Sequence, residues 1–91
     1  MEAIQIRTFL EKDFDAVQQL NEEEGWSGLV ERGEETLCSW LNSEPALVAV
    51  VDGELVGFLR GLTDGSITLY VCDLLVKESF RNQGIADKLI Q

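Results

Sequence analysis

Apolar and polar residues alternate along Ile4-Gln5-Ile6-Arg7-Thr8-Phe9, the period of a strand with one buried face. The period then lengthens. Phe14, Val17 and Leu20 fall on one side of a helix, with Asp13 placed to cap it, which predicts a helix over 13–24. The polar run Asn21-Glu22-Glu23-Glu24-Gly25-Trp26-Ser27-Gly28 ends it and reads as a loop. Leu37, Trp40 and Leu41 form the apolar stripe of a second helix over 34–42. Glu34 and Glu35 suit its N-terminus, and Asn42-Ser43-Glu44-Pro45 stops it.

Three apolar runs come next, at 46–51, 54–62 and 66–76, separated by Asp52-Gly53 and Asp64-Gly65. Asp-Gly favours the two-residue turn whose twist matches antiparallel strands, so the runs predict a three-stranded meander. In the last run Ile67, Leu69, Val71 and Leu75 alternate with Tyr70, Cys72, Leu74 and Val76. Both faces are apolar, so this fourth strand is expected to be covered on both and to have a neighbour on each side. The predicted order is β-α-α-β-β-β-α, an α+β fold with an α/β-type mixed sheet. Residues 1–91 form a single domain without repeats, linkers or low-complexity segments.

The candidate chemistry lies just beyond the fourth strand. Leu74-Leu75-Val76 leads through Lys77-Glu78-Ser79-Phe80 into Arg81-Asn82-Gln83-Gly84-Ile85-Ala86, and Asp87-Lys88-Leu89-Ile90-Gln91 reads as helix. A strand, a glycine-containing turn and a helix start are the parts of an anion site, because the first N–H groups of a helix lack intrahelical partners. Gly84 has no side chain to block a phosphate, Ala86 almost none, and Arg81 can add a charge-assisted contact.

This stretch resembles motif A of the GNAT superfamily of acyl-CoA-dependent N-acetyltransferases. There a strand ending in a Leu-x-Val-like triplet runs through a short loop into Arg or Gln-x-x-Gly-x-Gly or Ala. Phe80 matches the aromatic that often precedes the Arg. Glu78 departs from the pattern, since members often carry Pro there, and it adds negative charge near the proposed phosphate site. The predicted element order is that of the N-terminal part of the GNAT fold. The resemblance covers nearly all of this chain, while the chain covers about the first two-thirds of the family domain. The expected fold is therefore GNAT-like but incomplete, lacking the closing strands and helix.

The resemblance implies an acetyltransferase that moves an acetyl group from acetyl-CoA to a primary amine of a small-molecule or peptide acceptor, with no metal. The pantetheine arm would pair with the backbone of Leu74, Leu75 and Val76. The pyrophosphate would sit on the N–H groups of Arg81, Asn82, Gln83, Gly84, Ile85 and Ala86. Asp73, the only carboxylate within the apolar strand, is the candidate base, since burial would raise its pKa toward a useful value. Its rival role is a hydrogen bond that only shapes a bulge. Tyr70 is a spare candidate acid. Arg60 faces solvent or pairs with a carboxylate. Trp26 with Glu22, Glu23 and Glu24 would line a pocket for a cationic acceptor, or Trp26 simply packs on the second helix.

Composition narrows the chemistry. The chain has no histidine, which removes Ser-His-Asp and Cys-His nucleophile systems and His-containing zinc sites. Cys38 and Cys72 lack metal spacing and read as reduced core thiols, consistent with a cytoplasmic protein, with a disulfide as the lesser alternative. Neither has a base partner that would mark it as a nucleophile. Net charge is −10, with 7 basic and 17 acidic residues, which argues against nucleic acid as a partner. No run is long enough to span a membrane, so none is expected as a partner. Three of the bases, Lys77, Arg81 and Lys88, flank or lie within the proposed phosphate loop.

Two function classes stay open on the sequence. One is an acetyltransferase, with little or no activity expected of these 91 residues alone. The other is an inactive GNAT fragment acting as a dimerisation or acyl-CoA-binding module. Without a fifth strand, the fourth strand is an unprotected apolar edge, which predicts a homodimer through residues 67–76.

Overall fold

A computed structural model describes residues 3–90. Its elements are β1 (Ile4–Thr8), α1 (Phe14–Glu23), α2 (Ser27–Glu31), α3 (Gly33–Asn42), β2 (Ala46–Val51), β3 (Glu54–Thr63), β4 (Leu69–Val76) and α4 (Ile85–Ile90). Short 3₁₀ turns at Glu11–Asp13 and Glu78–Phe80 lie ahead of α1 and α4. The strands form one antiparallel sheet in the order β1-β2-β3-β4. This is the expected α+β order with one addition. Residues 27–31, expected to be the end of a loop and the residues beyond it, form the extra short helix α2. That segment has no buried residue, so no apolar stripe announces it.

The sheet is covered unequally. On one face Val48, Phe58 and Leu75 meet Phe9, Val17, Leu20 and Trp40. The Trp40 ring lies 4.7 Å from Phe9 and 5.2 Å from Phe58, the latter edge-on, as aromatic quadrupoles favour. On the other face Ala49, Val51, Val56 and Leu59 receive Ile85 and Leu89 of α4. A buried Val, Leu or Phe contributes roughly 1.5–3 kcal/mol, so these two clusters hold the sheet together.

Where β1 ends, Arg7 and Asp13 form a two-pronged ion pair at 2.7 and 2.8 Å. The Leu10 N–H also donates to that carboxylate, at 2.8 Å. Asp13 thus ties the strand to the start of α1. The Arg7 guanidinium holds its carboxyl below the usual carboxylate range, against the opposing effect of burial.

The two Asp-Gly sequences behave differently. Asp52 and Gly53, with φ of 50° and 80°, make the expected two-residue turn between β2 and β3. Asp64-Gly65 does not make one. The Asp64 carboxylate accepts the N–H groups of Ser66, Ile67 and Thr68 at 2.9–3.1 Å, which opens the connection into a five-residue loop, 64–68. Those three donors hold the Asp64 carboxyl below its ordinary range. Strand β4 consequently begins at Leu69, and Ile67 projects into solvent at 92% exposure.

The expectation that β4 is covered on both faces and both sides is corrected at its first half. Leu69, Tyr70 and Val71 are exposed, and only from Cys72 onward does the strand enter the interior. β4 is the last strand of the sheet, with β3 as its one neighbour among the described residues.

Candidate functional site

The end of β4 is placed by its partner strand. Leu74, Leu75 and Val76 stand opposite Leu59, Phe58 and Gly57. Gly57 allows the strands to approach closely there, since a Cβ would lie 3.0 Å from the Leu75 carbonyl oxygen and would push it back. Leu75 points into the cluster beneath α1, while Leu74 and Val76 pack on the α4 side. The ladder runs on past the strand, with the Lys77 N–H donating to the Val56 carbonyl at 2.7 Å. The Glu78–Phe80 turn and residues 81–84 then carry the chain to α4.

The motif residues divide by role. Ile85 is 2% exposed and belongs to the core, so its side chain anchors α4 and leaves only its backbone facing the loop. Arg81, Asn82, Gln83 and Gly84 are exposed, and Ala86 is half-buried. Asn82 and Gly84 adopt left-handed conformations, with φ of 66° and 80°. A Cβ on Gly84 would meet nothing within 4 Å. Space therefore exists above this glycine, as part of a cleft of about 240 Å³ between Val76, Phe80, Arg81, Asn82 and Asp87. The cleft is open at Gly84, with room above it for a ligand.

A larger cleft, about 490 Å³, lies between the end of α1 and the end of β4. Leu20, Leu75 and Ser79 form its floor and side, and Glu23, Glu24, Lys77 and Glu78 its charged wall. Trp26 lies outside this lining. It is half-buried and packs against the core cluster that contains Phe9, Val17 and Trp40. Tyr70 is 66% exposed on the outer half of β4, beyond both clefts.

Asp73 is engaged. Its carboxylate accepts from the Arg60 Nε at 2.8 Å, and Arg60 also donates to the Ser43 hydroxyl at 3.1 Å. Both members of the ion pair are only 17% exposed. They face each other across β3 and β4 because a bulge at Cys72 shifts the register between Arg60 and Gly61. At that bulge the strands close in, so a Cβ on Gly61 would lie 2.8 Å from the Tyr70 carbonyl oxygen.

The basic cluster around the loop is largely spent. Arg81 donates from Nε to the Val76 carbonyl at 2.9 Å, and its Nη2 is ion-paired with Glu24 of the α1 end. Lys77 pairs with Glu54 at 2.7 Å, which raises the lysine above its ordinary pKa. With Arg7–Asp13, Arg60–Asp73 and the exposed Arg32–Glu35, five of the seven basic residues are ion-paired. Lys12 and Lys88 form no ion pair among the described residues. Glu24–Arg81 is a contact that motif reading misses, while Arg60–Asp73 is the carboxylate pairing that is one of the two expectations for Arg60. The first joins residues 57 apart, a spacing no local pattern exposes.

Similar folds are known. The chain resembles a PaiA N-acetyltransferase from Thermoplasma acidophilum, solved in complex with coenzyme A. It is 17% identical with a TM-score of 0.78 over 97% of this chain and 67% of that one. A GNAT-family acetyltransferase from Streptococcus pneumoniae TIGR4 is 28% identical, with a TM-score of 0.72 over 99% of this chain and 63% of that one. The diaminobutyrate acetyltransferase EctA from Paenibacillus lautus, in complex with L-2,4-diaminobutyric acid and coenzyme A, is 22% identical. Its TM-score is 0.69 over 99% of this chain and 55% of that one. The chain thus spans between about half and two-thirds of the length of these structures. No curated protein sequence matches it. No helix among the described residues is long and apolar enough to cross a membrane. The family model described as acetyltransferase (GNAT) matches residues 6–91, and the chain belongs to that family.

Proposed function

We propose that this chain carries the acyl-CoA-binding part of an N-acetyltransferase acting in the cytoplasm, which transfers acetyl from acetyl-CoA to a primary amine. The observation that carries the reading is the open cradle at Gly84, set directly beyond the Leu74–Val76 strand end. Backbone groups of Leu74, Leu75 and Val76 would pair with the pantetheine arm, and those of residues 81–86 would hold the pyrophosphate. The amine nitrogen attacks the thioester carbonyl carbon, the carbon–sulfur bond breaks, the amine loses a proton and the departing thiolate gains one. What the chain contributes is position: an amine in the larger cleft, beside Leu75, would lie next to a thioester laid along the end of β4.

Asp73 sits on the same strand, but its pair with Arg60 supports a holding role. Its carboxylate already accepts from the Arg60 Nε at 2.8 Å, so abstracting a proton from an amine would mean giving up that partner. The test of the cofactor site is calorimetry of the 91-residue chain with acetyl-CoA. Gly84→Asp puts a like charge into the cradle and forces a side chain onto a left-handed backbone. Affinity is expected to fall by about tenfold or more, about 1.4 kcal/mol. An unchanged Kd, with the fold intact by circular dichroism, removes the loop from the site.

A second reading, self-association without catalysis, is favoured by one observation. Leu69, Tyr70 and Val71 are exposed on a sheet-end strand. The partner it implies is a second copy of this chain paired along the β4 edge.

A further inference from the structure

Three glutamates, Glu22, Glu23 and Glu24, crowd the C-terminal end of α1, and the helix has no basic residue in its last turn. The helix macrodipole is negative at that end, so these carboxylates repel both it and one another. The cation that relieves them comes from the far side of the cleft. Arg81 reaches back and pairs with Glu24. The guanidinium is held at a fixed place, because its Nε is bonded to the Val76 carbonyl at 2.9 Å. This same arginine belongs to the cradle at Gly84, while Glu24 belongs to the wall of the neighbouring cleft beneath Leu20 and Leu75. One ion pair thus joins the two clefts.

We propose that Glu24 is a displaceable plug on Arg81 that couples the binding of acyl-CoA to that of a cationic amine acceptor. The inference rests on the acyl-CoA reading of the cradle. A phosphate oxygen competes for the guanidinium on favourable terms, since arginine and phosphate match in geometry and charge. When the phosphate takes Arg81, Glu24 loses its cation but keeps its position at the helix end, where its N–H is bonded to the Leu20 carbonyl at 3.0 Å. The cleft wall then carries Glu23, Glu24 and Glu78 with Lys77, itself paired with Glu54, as its remaining cation. A protonated amine, as found on a linear diamine or polyamine, replaces the missing guanidinium charge. Acyl-CoA therefore creates the site that recognises the acceptor's positive end, and by linkage the amine strengthens the cofactor by the same factor.

Calorimetry with CoA, which binds without turnover, and a linear diamine tests this. Glu24→Gln removes the competitor and is expected to bind CoA about two- to fivefold more tightly, the range of a partly exposed ion pair. The gain shrinks at high salt, where such pairs are screened. In the unaltered protein CoA raises the affinity for the diamine, and in Glu24→Gln that increase is lost. Glu22→Gln, which removes an equal charge from the same helix end without touching Arg81, controls for the general field and is expected to leave the CoA Kd nearly unchanged. Equal CoA affinity in Glu24→Gln and the unaltered protein overturns the plug and leaves the cofactor site standing. An equal gain in Glu22→Gln overturns it also. Absence of CoA binding in all three proteins overturns the acyl-CoA reading itself, and the plug with it.

Discussion

Asp73 shows how far a single residue can be read from sequence. Its isolation within an apolar strand marks it as a carboxylate under constraint, and the constraint is present. The partner is not visible there. A two-residue turn at Asp64-Gly65 would set Leu69 opposite Arg60. The five-residue loop and the bulge at Cys72 put Asp73 there instead. The loop arises because the Asp64 carboxylate gathers three N–H groups, a local competition between side chain and backbone that composition does not reveal. A holding role for Asp73 makes a definite prediction. Asp73→Asn leaves a largely buried guanidinium without its counter-charge and is expected to lower stability by about 1–3 kcal/mol in urea unfolding, with CoA affinity little changed. A variant of unaltered stability whose complete enzyme is slowed at the chemical step would instead make Asp73 the base.

At the scale of elements, the legible parts are those where a strong period coincides with a buried face. β1, α1, α3, β2 and β3 lie within a residue or two of their expected bounds, because their apolar positions are the ones that pack: one stripe on each helix, and both faces of β2 and β3. α2 escapes pattern reading because it buries nothing completely. The expected β4 is too long because apolarity stands in for burial, and here the apolar side chains of its first half meet solvent. That outer half bears on assembly. The only charge on β4 is Asp73, which Arg60 neutralises, so two copies paired antiparallel along this edge would bring no unpaired like charges together. Light scattering of the 91-residue chain at micromolar concentration and physiological salt is expected to give twice the monomer mass of 10.2 kDa. A concentration-independent monomer would end the idea. So would a complete, longer protein that stays monomeric by laying its own strand on β4, since the edge would then be an internal contact.

For the molecule as a whole, the family is legible in one short motif and its position after a strand, while the distribution of charge around that motif is not. Lys77, Arg81 and Lys88 read as a basic patch awaiting an anion, yet two of the three are bound to glutamates. That pairing has a consequence for the speed of encounter. A polyanionic cosubstrate approaches a body of net charge −10 whose cations are mostly occupied at close range. No long-range field draws it in, and the field present repels it. At about 10 mM salt that repulsion extends roughly 30 Å, and at about 150 mM roughly 8 Å. Stopped-flow association of CoA is therefore expected to quicken as salt is added, the reverse of electrostatic steering, and an on-rate that falls with salt would show that the loop presents a positive face after all. A protein wired in this way, taking an acyl-CoA as proposed, would capture it by contact rather than by attraction, and would do so faster in the ionic medium of a cell than in dilute buffer.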